Sequence, residues 1–363
     1  MTEHYRGRLG LQQRVLPAYR VPFFDRLASA CQGGLSVFAG QARRREAIAA
    51  GLPSLARYTA ASNLHILGGP LYLCAQRGLT AWLEQWNPDA LIVEANPRYL
   101  STPAAVRWMK ARGRPVLGWG IGAPPVSGLM RTAQQAQRAQ FLRQFNALIA
   151  YSRRGAREYE QAGFPAERVF LAANAVAPAP ASKPERALQA DRAEILFVGR
   201  LQRRKHVDRL LRACAEMPEP KPQLIVIGDG PERARLELLA RQVHPMTEFA
   251  GAKHGPELEP FFLRAHLFVL PGTGGLAVQE AMAHALPIIV ARGDGTQDDL
   301  VRAGNGWQIA ADDYPALVSA LRIALADKAR LRRMGEESYR IVSEEINLDA
   351  MLGGFLKALN TLR

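Results

Sequence analysis

The stretch FVLPGTGGLAVQEAMAHALPIIV, residues 268–290, decides how the chain folds. It opens on an apolar run of strand length and breaks at a glycine-rich loop. An apolar helical segment follows, then a second strand-length run. Strand, loop, helix and strand in that order make one βαβ unit on a parallel sheet. The loop Gly272–Thr273–Gly274–Gly275 can aim several backbone N–H groups at one phosphate or sugar. Glu280 follows in a helix otherwise made of Leu276, Ala277, Val278, Ala281, Met282 and Ala283. A carboxylate in such surroundings is costly to keep idle, and it can accept both hydroxyls of a ribose, as acidic residues do in dinucleotide folds.

Two upstream stretches repeat the pattern. ILFVGRLQRRKHVDRLL, residues 195–211, runs a buried strand into Gly199 and opens a helix around His206. Glycine permits the tight turn. Arg200 and Lys205 then flank a helix N-terminus, where N–H groups and the helix dipole favour an anion. Arginine grips phosphate bidentately and lysine acts as a point charge, so the pair reads as a diphosphate clamp. The same spacing also suits a plain turn with solvated basic residues. LIVIGDGPERARL, residues 224–236, places Gly228, Asp229, Gly230 and Pro231 after another strand, with Pro231 suited to start a helix.

Outward from these motifs, strand-length apolar runs alternate with helix-period segments along the whole chain. In the first half, strands are expected at residues 9–15, 35–39, 64–67, 90–93, 115–119, 147–150 and 169–171. Helices are expected at 21–30, 71–85, 99–111, 129–145 and 153–162. Residues 172–184, AANAVAPAPASKP, cannot sustain an element interior and read as a linker. The pattern then restarts, with strands at 194–198, 223–227, 266–270 and 286–290. Helices are expected at 206–216, 232–243, 257–263, 277–285, 314–326 and 328–345. The expected fold class is α/β with two Rossmann-like domains: residues 1–173, a linker at 174–193, and residues 194–346. A last helix near 348–362 is placed to cross back to the first domain. Ligands of open α/β sheets bind beyond the carboxyl ends of the strands, so a cleft between two such sheets is the expected site.

Composition narrows the class. The 363 residues suit two domains. No run approaches the length of a membrane-spanning helix, and the N-terminal residues lack the pattern of a signal peptide, so a cytoplasmic protein is expected. Cys31, Cys74 and Cys214 are too dispersed for a metal knuckle or a disulfide framework and read as small core residues. His65, His206, His254 and His284 have no ligand spacing. The net charge of +14 is uneven: residues 1–178 hold 22 Lys and Arg against 9 Asp and Glu, the remainder 25 against 24. A basic half attracts anions, whether acidic membrane, a phosphorylated lipid carrier or nucleic acid. Nucleic acid is excluded on motif grounds, for lack of a helix-turn-helix, zinc spacing or aromatic platform. The basic stretch at residues 129–154 is a candidate for lying on anionic lipid.

The order GRLxxxK, IGDGPE, then a glycine loop ending in GLxxxEAMAxxxP closely resembles the family-four retaining glycosyltransferases of the GT-B fold. The motifs cover residues 194–292, and the layout of the whole chain is similar. The resemblance implies that Arg200 and Lys205 bind the donor diphosphate and that Glu280 binds the nucleotide ribose. It implies that the amides of Thr273 through Leu276 hold phosphate and sugar, and that the base lies near Gly251–His254, with Lys253 and His254 at hand. The family commonly has a second Glu eight residues before the ribose-binding one; here that position is Gly272, so sugar recognition must use backbone groups or a smaller loop. In the first half, LPAYRVP (residues 16–22) resembles a loop that closes over the phosphates, which puts Tyr19 and Arg20 in the donor site. Many members carry a His where this chain has Gly118–Trp119–Gly120–Ile121–Gly122, a turn that would let a sugar approach the backbone. Glu94 and Asn96 follow another strand, and Glu94 is placed to orient or deprotonate an acceptor hydroxyl, or else to pair with Arg98.

These readings together predict transfer of a sugar from a UDP-, GDP- or dTDP-sugar to a saccharide or lipid-linked acceptor of the cell envelope. No cofactor is expected, and metal independence accords with the lack of an Asp-x-Asp motif. The rivals are a non-catalytic nucleotide-sugar binder and an epimerase or phosphorylase on the same fold.

Overall fold

The run LGLQQRV becomes strand β1 (Leu9–Val15) at the centre of a parallel sheet. The computed structural model describes residues 4–43, 46, 48–124, 131–186, 192–272, 274–293 and 295–362. Two compact units emerge: Met1–Val176 with Leu348–Arg363, and Ala177–Asn347.

In the first unit β1 is joined by β2 (Leu35–Gly40), β3 (Arg57–Ala60), a hairpin of β4 (Ser62–Ile66) and β5 (Leu73–Arg77), then β6 (Ala90–Glu94), β7 (Val116–Gly120), β8 (Ala147–Ala150) and β9 (Val169–Leu171). The sheet order is β3-β2-β1-β6-β7-β8-β9, every pair parallel. Strands such as ALIV and ALIA are apolar on both faces because helices cover both faces.

The expected helix at 71–85 is corrected. Its first part is β5, paired antiparallel with β4 from Ser62↔Arg77 to Ile66↔Leu73. Gly78, at φ +85°, turns the chain into a helix only at Leu79–Trp86. β3 carries no strong apolar signal, because it is a half-exposed edge of four residues.

The helix Leu348–Thr361 packs within the first unit. Phe355 sits edge-on to Phe23 and Trp119, with ring centroids 4.8 and 5.0 Å away. Gly354 lets the helix backbone ride directly on β9: a Cβ there would lie 2.4 Å from the Leu171 carbonyl. Arg26 donates to Asp349 at 2.6 Å.

Within residues 129–154 the structure forms the helix Arg131–Leu142. Its apolar members Phe141 and Leu142 are buried in the core with Phe145, leaving an outer face of Thr, Ala and Gln. Residues 129 and 130 lie outside the described set.

The second unit is a six-stranded parallel sheet: β10 (Glu194–Val198), β11 (Gln223–Ile227), β12 (Glu248–Gly251), β13 (Leu267–Leu270), β14 (Ile288–Ala291) and β15 (Gly306–Ile309), in the order β12-β11-β10-β13-β14-β15. That is the doubly wound 3-2-1-4-5-6 order, whose switch point lies between the first and fourth strands, β10 and β13. The edge strands β12 and β15, EFAG and GWQI, are too short and mixed to stand out in sequence. The helix expected at 328–345 runs from Lys328 to Arg340 and loosens into a π turn, Ile341–Glu345, before Asn347 bonds back to Val342 and Ser343.

Candidate functional site

At the switch point of the second sheet three glycine-bearing loops are stitched together by their backbones. The Gly199 N–H donates to Ile227, and the Leu201 N–H to Asp229, both at 2.9 Å; Gly228 donates to Gly251 at 2.8 Å. Gly228 (φ +138°) and Gly230 (φ +156°) are needed here: a Cβ would lie 2.0 Å from the Gly199 carbonyl and 2.4 Å from the Leu201 carbonyl, respectively. These loops follow β10 and β11, and the third, Pro271–Gly275, follows β13.

Gly272 is the joint between the first and third loops. A Cβ there would fall 2.1 Å from the Arg204 carbonyl and 2.5 Å from Lys205 Cα. Backbone occupies the space a side chain would need, which gives a physical reason why no glutamate stands at this position. A short turn, Arg203–Lys205, and a left-handed His206 (φ +53°) then lead into the helix Val207–Ala215. Lys205 is thereby driven inward, 7% exposed. Its Nζ lies 3.2 Å from where a Cβ of Gly274 would stand, with Arg204 Nη1 3.5 Å from the same point. Burial, and then the charge of Arg204, push the Lys205 ammonium down to about 8. Two cations thus meet a turn whose glycines, Gly274 (φ +84°) and Gly275 (φ +157°), open the helix Leu276–Ala283. Charge and helix dipole there both favour an anion.

Other expected residues surround this centre. Arg200 is exposed at the end of β10, and Leu276 is exposed at the helix start. Glu280 is half-buried one turn into that helix, and burial raises its carboxyl, a rise tempered by His284. His284 itself donates from Nδ1 to the Glu280 carbonyl (2.8 Å) and stacks on Phe262, a structural role. Lys253 is half-buried with its ammonium 5.7 Å from the Phe261 ring, and His254 caps the turn Gly255–Leu258. Thr273 lies outside the described residues.

In the first unit the expectations fare unevenly. Tyr19 is 39% exposed. Arg20 is corrected: it is 4% exposed, donates to the Ala175 carbonyl (3.3 Å) and to Asn174 Oδ1, and lies over the Trp119 and Tyr151 rings. Its guanidinium ties the start of the Ala/Pro-rich run to the first unit instead of facing a phosphate. The Gly118–Gly122 turn is also corrected as a sugar approach. Tyr159 Oη, Glu158 and Gly155 fill the space over Gly120 and Gly122, so these glycines admit the helix Arg153–Gln161 instead.

Glu94, at the end of β6 and beside β1, accepts the Arg14 N–H; among the described residues no ion pair joins it to Arg98, whose backbone N–H donates to Asn96. Burial pushes the Glu94 carboxyl up to about 7, against the pull of Arg14. Around it stands a cluster that sequence reading missed. Arg14 and Arg43 both bond Glu46, at 2.9 and 3.0 Å. Arg43 lies 4.2 Å from the Tyr72 ring, and Tyr72 packs with Cys74 and Tyr99. The residues come from separate elements, and no local motif announces them.

Comparison with known proteins finds likenesses in sequence and in fold. Residues 179–341 match the family described as "Glycosyl transferases group 1". That match lies within the second unit. A relative, the GDP-mannose-dependent alpha-mannosyltransferase of Mycobacterium tuberculosis, is 39% identical over 162 residues, 41% of this chain and 40% of that protein. The lipopolysaccharide core biosynthesis glycosyltransferase LpsE of Rhizobium meliloti is 26% identical over 175 residues, 47% of this chain and 50% of that protein. The matches thus span half or less of these curated relatives. Among solved structures, the lipopolysaccharide outer core galactosyltransferase WaaB aligns over 98% of this chain and 99% of its own, with a TM-score of 0.70 at 14% identity. HepE of Anabaena in complex with UDP gives the same coverage, score and identity. At such identities the likeness is one of fold, and that fold is GT-B. Among the described residues no group of three or more His, Cys, Asp or Glu is arranged to hold a metal, and no helix is long and apolar enough to cross a membrane.

Proposed function

We propose that the chain is a glycosyltransferase that moves a sugar from a nucleotide-diphosphate sugar to a saccharide or lipid-linked acceptor, with retention and without a metal. The observation that carries this is the buried Lys205 ammonium held at the Gly274 turn where two loops of the second sheet converge. The names of the relatives, GDP-mannose-dependent enzymes among them, and the UDP bound to HepE support a nucleotide-sugar donor.

In this reading the bond between sugar C1 and the β-phosphate oxygen breaks, and negative charge grows on the diphosphate. Groups that hold that charge more tightly in the transition state accelerate the step. Lys205, Arg200 and the N–H groups of Gly274, Gly275 and Leu276 supply them, and Glu280 takes the ribose hydroxyls. With Gly272 closed by backbone, the sugar is met by main-chain groups. In the first unit Glu94, near neutral pKa, orients the acceptor hydroxyl. The basic first half draws an anionic acceptor or membrane surface by charge alone.

Release of nucleoside diphosphate from UDP-, GDP- and dTDP-sugars in the presence of envelope glycolipid acceptors tests this. Lys205→Ala is expected to lower turnover by roughly two to three orders of magnitude, the scale for losing one preorganised oxyanion donor, with its circular dichroism unchanged. Turnover within a few-fold of wild type would overturn the assignment.

A further inference from the structure

A second cationic pocket lies at the other end of β13 from the glycine loop. It is a small cavity of about 40 Å³ lined by Arg186, His266, Lys328, Leu331 and Arg332. By the measure in which one water needs roughly 10–15 Å³, it has room for more than a single water.

Two buried donors at its floor are unspent. His266 is 5% exposed, and its Nδ1 accepts the Glu194 N–H at 3.2 Å. Burial, with Arg186 and Lys328 nearby, pushes its imidazole down to about 4, so the ring is neutral and the hydrogen sits on Nε2. That buried Nε2 has no hydrogen-bond partner. Arg186 gives its Nη groups to the Ala285 carbonyl (2.7 Å) and the Ala265 carbonyl, while its buried Nε–H has no partner. Lys328 and Arg332 stand on the first turns of the helix Lys328–Arg340 and are exposed. Among the described residues no ion pair joins a carboxylate to Arg186, Lys328 or Arg332. Asp327, next to Lys328, is turned to its own helix and accepts from the Arg330 N–H at 2.8 Å. A half-buried guanidinium without a counter-charge and an orphaned buried donor are both costly. One bound oxyanion relieves both.

We propose that this pocket binds a phosphate group, as a free ion or at the end of a small molecule or lipid headgroup. The Arg186 Nε–H and His266 Nε2–H donate to its oxygens at the floor, and Lys328 and Arg332 close over the mouth. The site is separate from the donor loops and does not depend on their assignment. It lies near the far end of the helix that carries Glu280, since Ala285, which takes the Arg186 bond, directly follows that helix's cap residue His284.

The test is calorimetric titration of inorganic phosphate, at fixed ionic strength, into four proteins. These are the wild type, Lys205→Ala, Lys328→Ala with Arg332→Ala, and a control, Arg330→Ala with Arg333→Ala. The control removes the same charge from the same helix outside the pocket. Wild type, Lys205→Ala and the control are expected to bind one phosphate alike, and the pocket variant about tenfold or more weakly, the loss expected for charge-assisted contacts. Glycerol 3-phosphate and phosphatidylglycerol vesicles then separate a soluble phosphate from a lipid headgroup as the source. No phosphate binding by wild type would overturn the proposal. So would equal binding by the pocket variant, equal loss in the control, or loss with Lys205→Ala alone.

Discussion

Lys205 and Glu94 are both half-committed charges, and pH separates their roles. Lys205 has a folded-state pKa near 8, below the 10.5 of a free lysine. In the free enzyme its charge fades as pH rises through about 8, so kcat/KM for the donor is expected to fall there. Lys205→Arg keeps its charge at any working pH and is expected to move that falling limb upward; an unmoved limb would assign it elsewhere. Glu94 has the opposite sign. Its folded pKa, near 7, lies above the ordinary 4.5. The stability this contributes is present in acid and lost as pH rises through about 7. Glu94→Gln is therefore expected to gain stability relative to wild type between pH 5 and pH 8, and to erase any rise in rate near pH 7. Urea unfolding at the two pH values and a pH–rate profile check both. The residue-scale signals readable in sequence were the ones that sit close together. Arg200, Lys205, Gly272 and Glu280 fall within short motifs, whereas the cluster of Arg14, Arg43, Glu46, Tyr72 and Tyr99 is assembled from distant segments. Arg20 read as a clamp because nothing local tells a buried guanidinium from a free one.

At the scale of elements, the legible pieces were those buried on both faces. β10, β11, β13 and β14 are continuous apolar runs, and their period needs no context. β3, β12 and β15 are four-residue edges whose pattern is mixed, and β5 was absorbed into a helix because Gly78 marks a turn that apolar periodicity alone does not show. Glycines at element contacts carry two predictions. In the first, Gly272→Ala forces its loop off the Arg204–Lys205 backbone. Nucleotide affinity is expected to fall at least about tenfold, read by calorimetry; retained affinity would mean that the two loops need not touch. In the second, Gly335 lies in the helix Lys328–Arg340, where a Cβ would stand 2.0 Å from the Ala285 carbonyl. Gly335→Ala is expected to cost about 2 kcal/mol by overpacking, despite alanine's better helix propensity. A neutral or stabilising result in denaturant unfolding would contradict this packing.

At the scale of the molecule, the C-terminal helix Leu348–Thr361 belongs to the unit that the N-terminus begins. Phe355→Ala is expected to cost about 3–5 kcal/mol and to lower the melting of the first unit while sparing that of the second; a uniform shift of both would argue against two separately cored units. In the second unit, the proposed nucleotide-diphosphate site is the one closed on Lys205 and Glu280. The most direct measurement is thermal stabilisation by UDP, GDP, dTDP and ADP, in EDTA, for wild type and for Glu280→Ala. A ligand that binds only the folded state adds about 2.7 kcal/mol at a hundredfold excess over its Kd. One nucleotide is expected to raise the wild-type melting temperature without metal, and Glu280→Ala to lose most of that rise. No stabilisation by any of the four, or an undiminished rise in the variant, would contradict it.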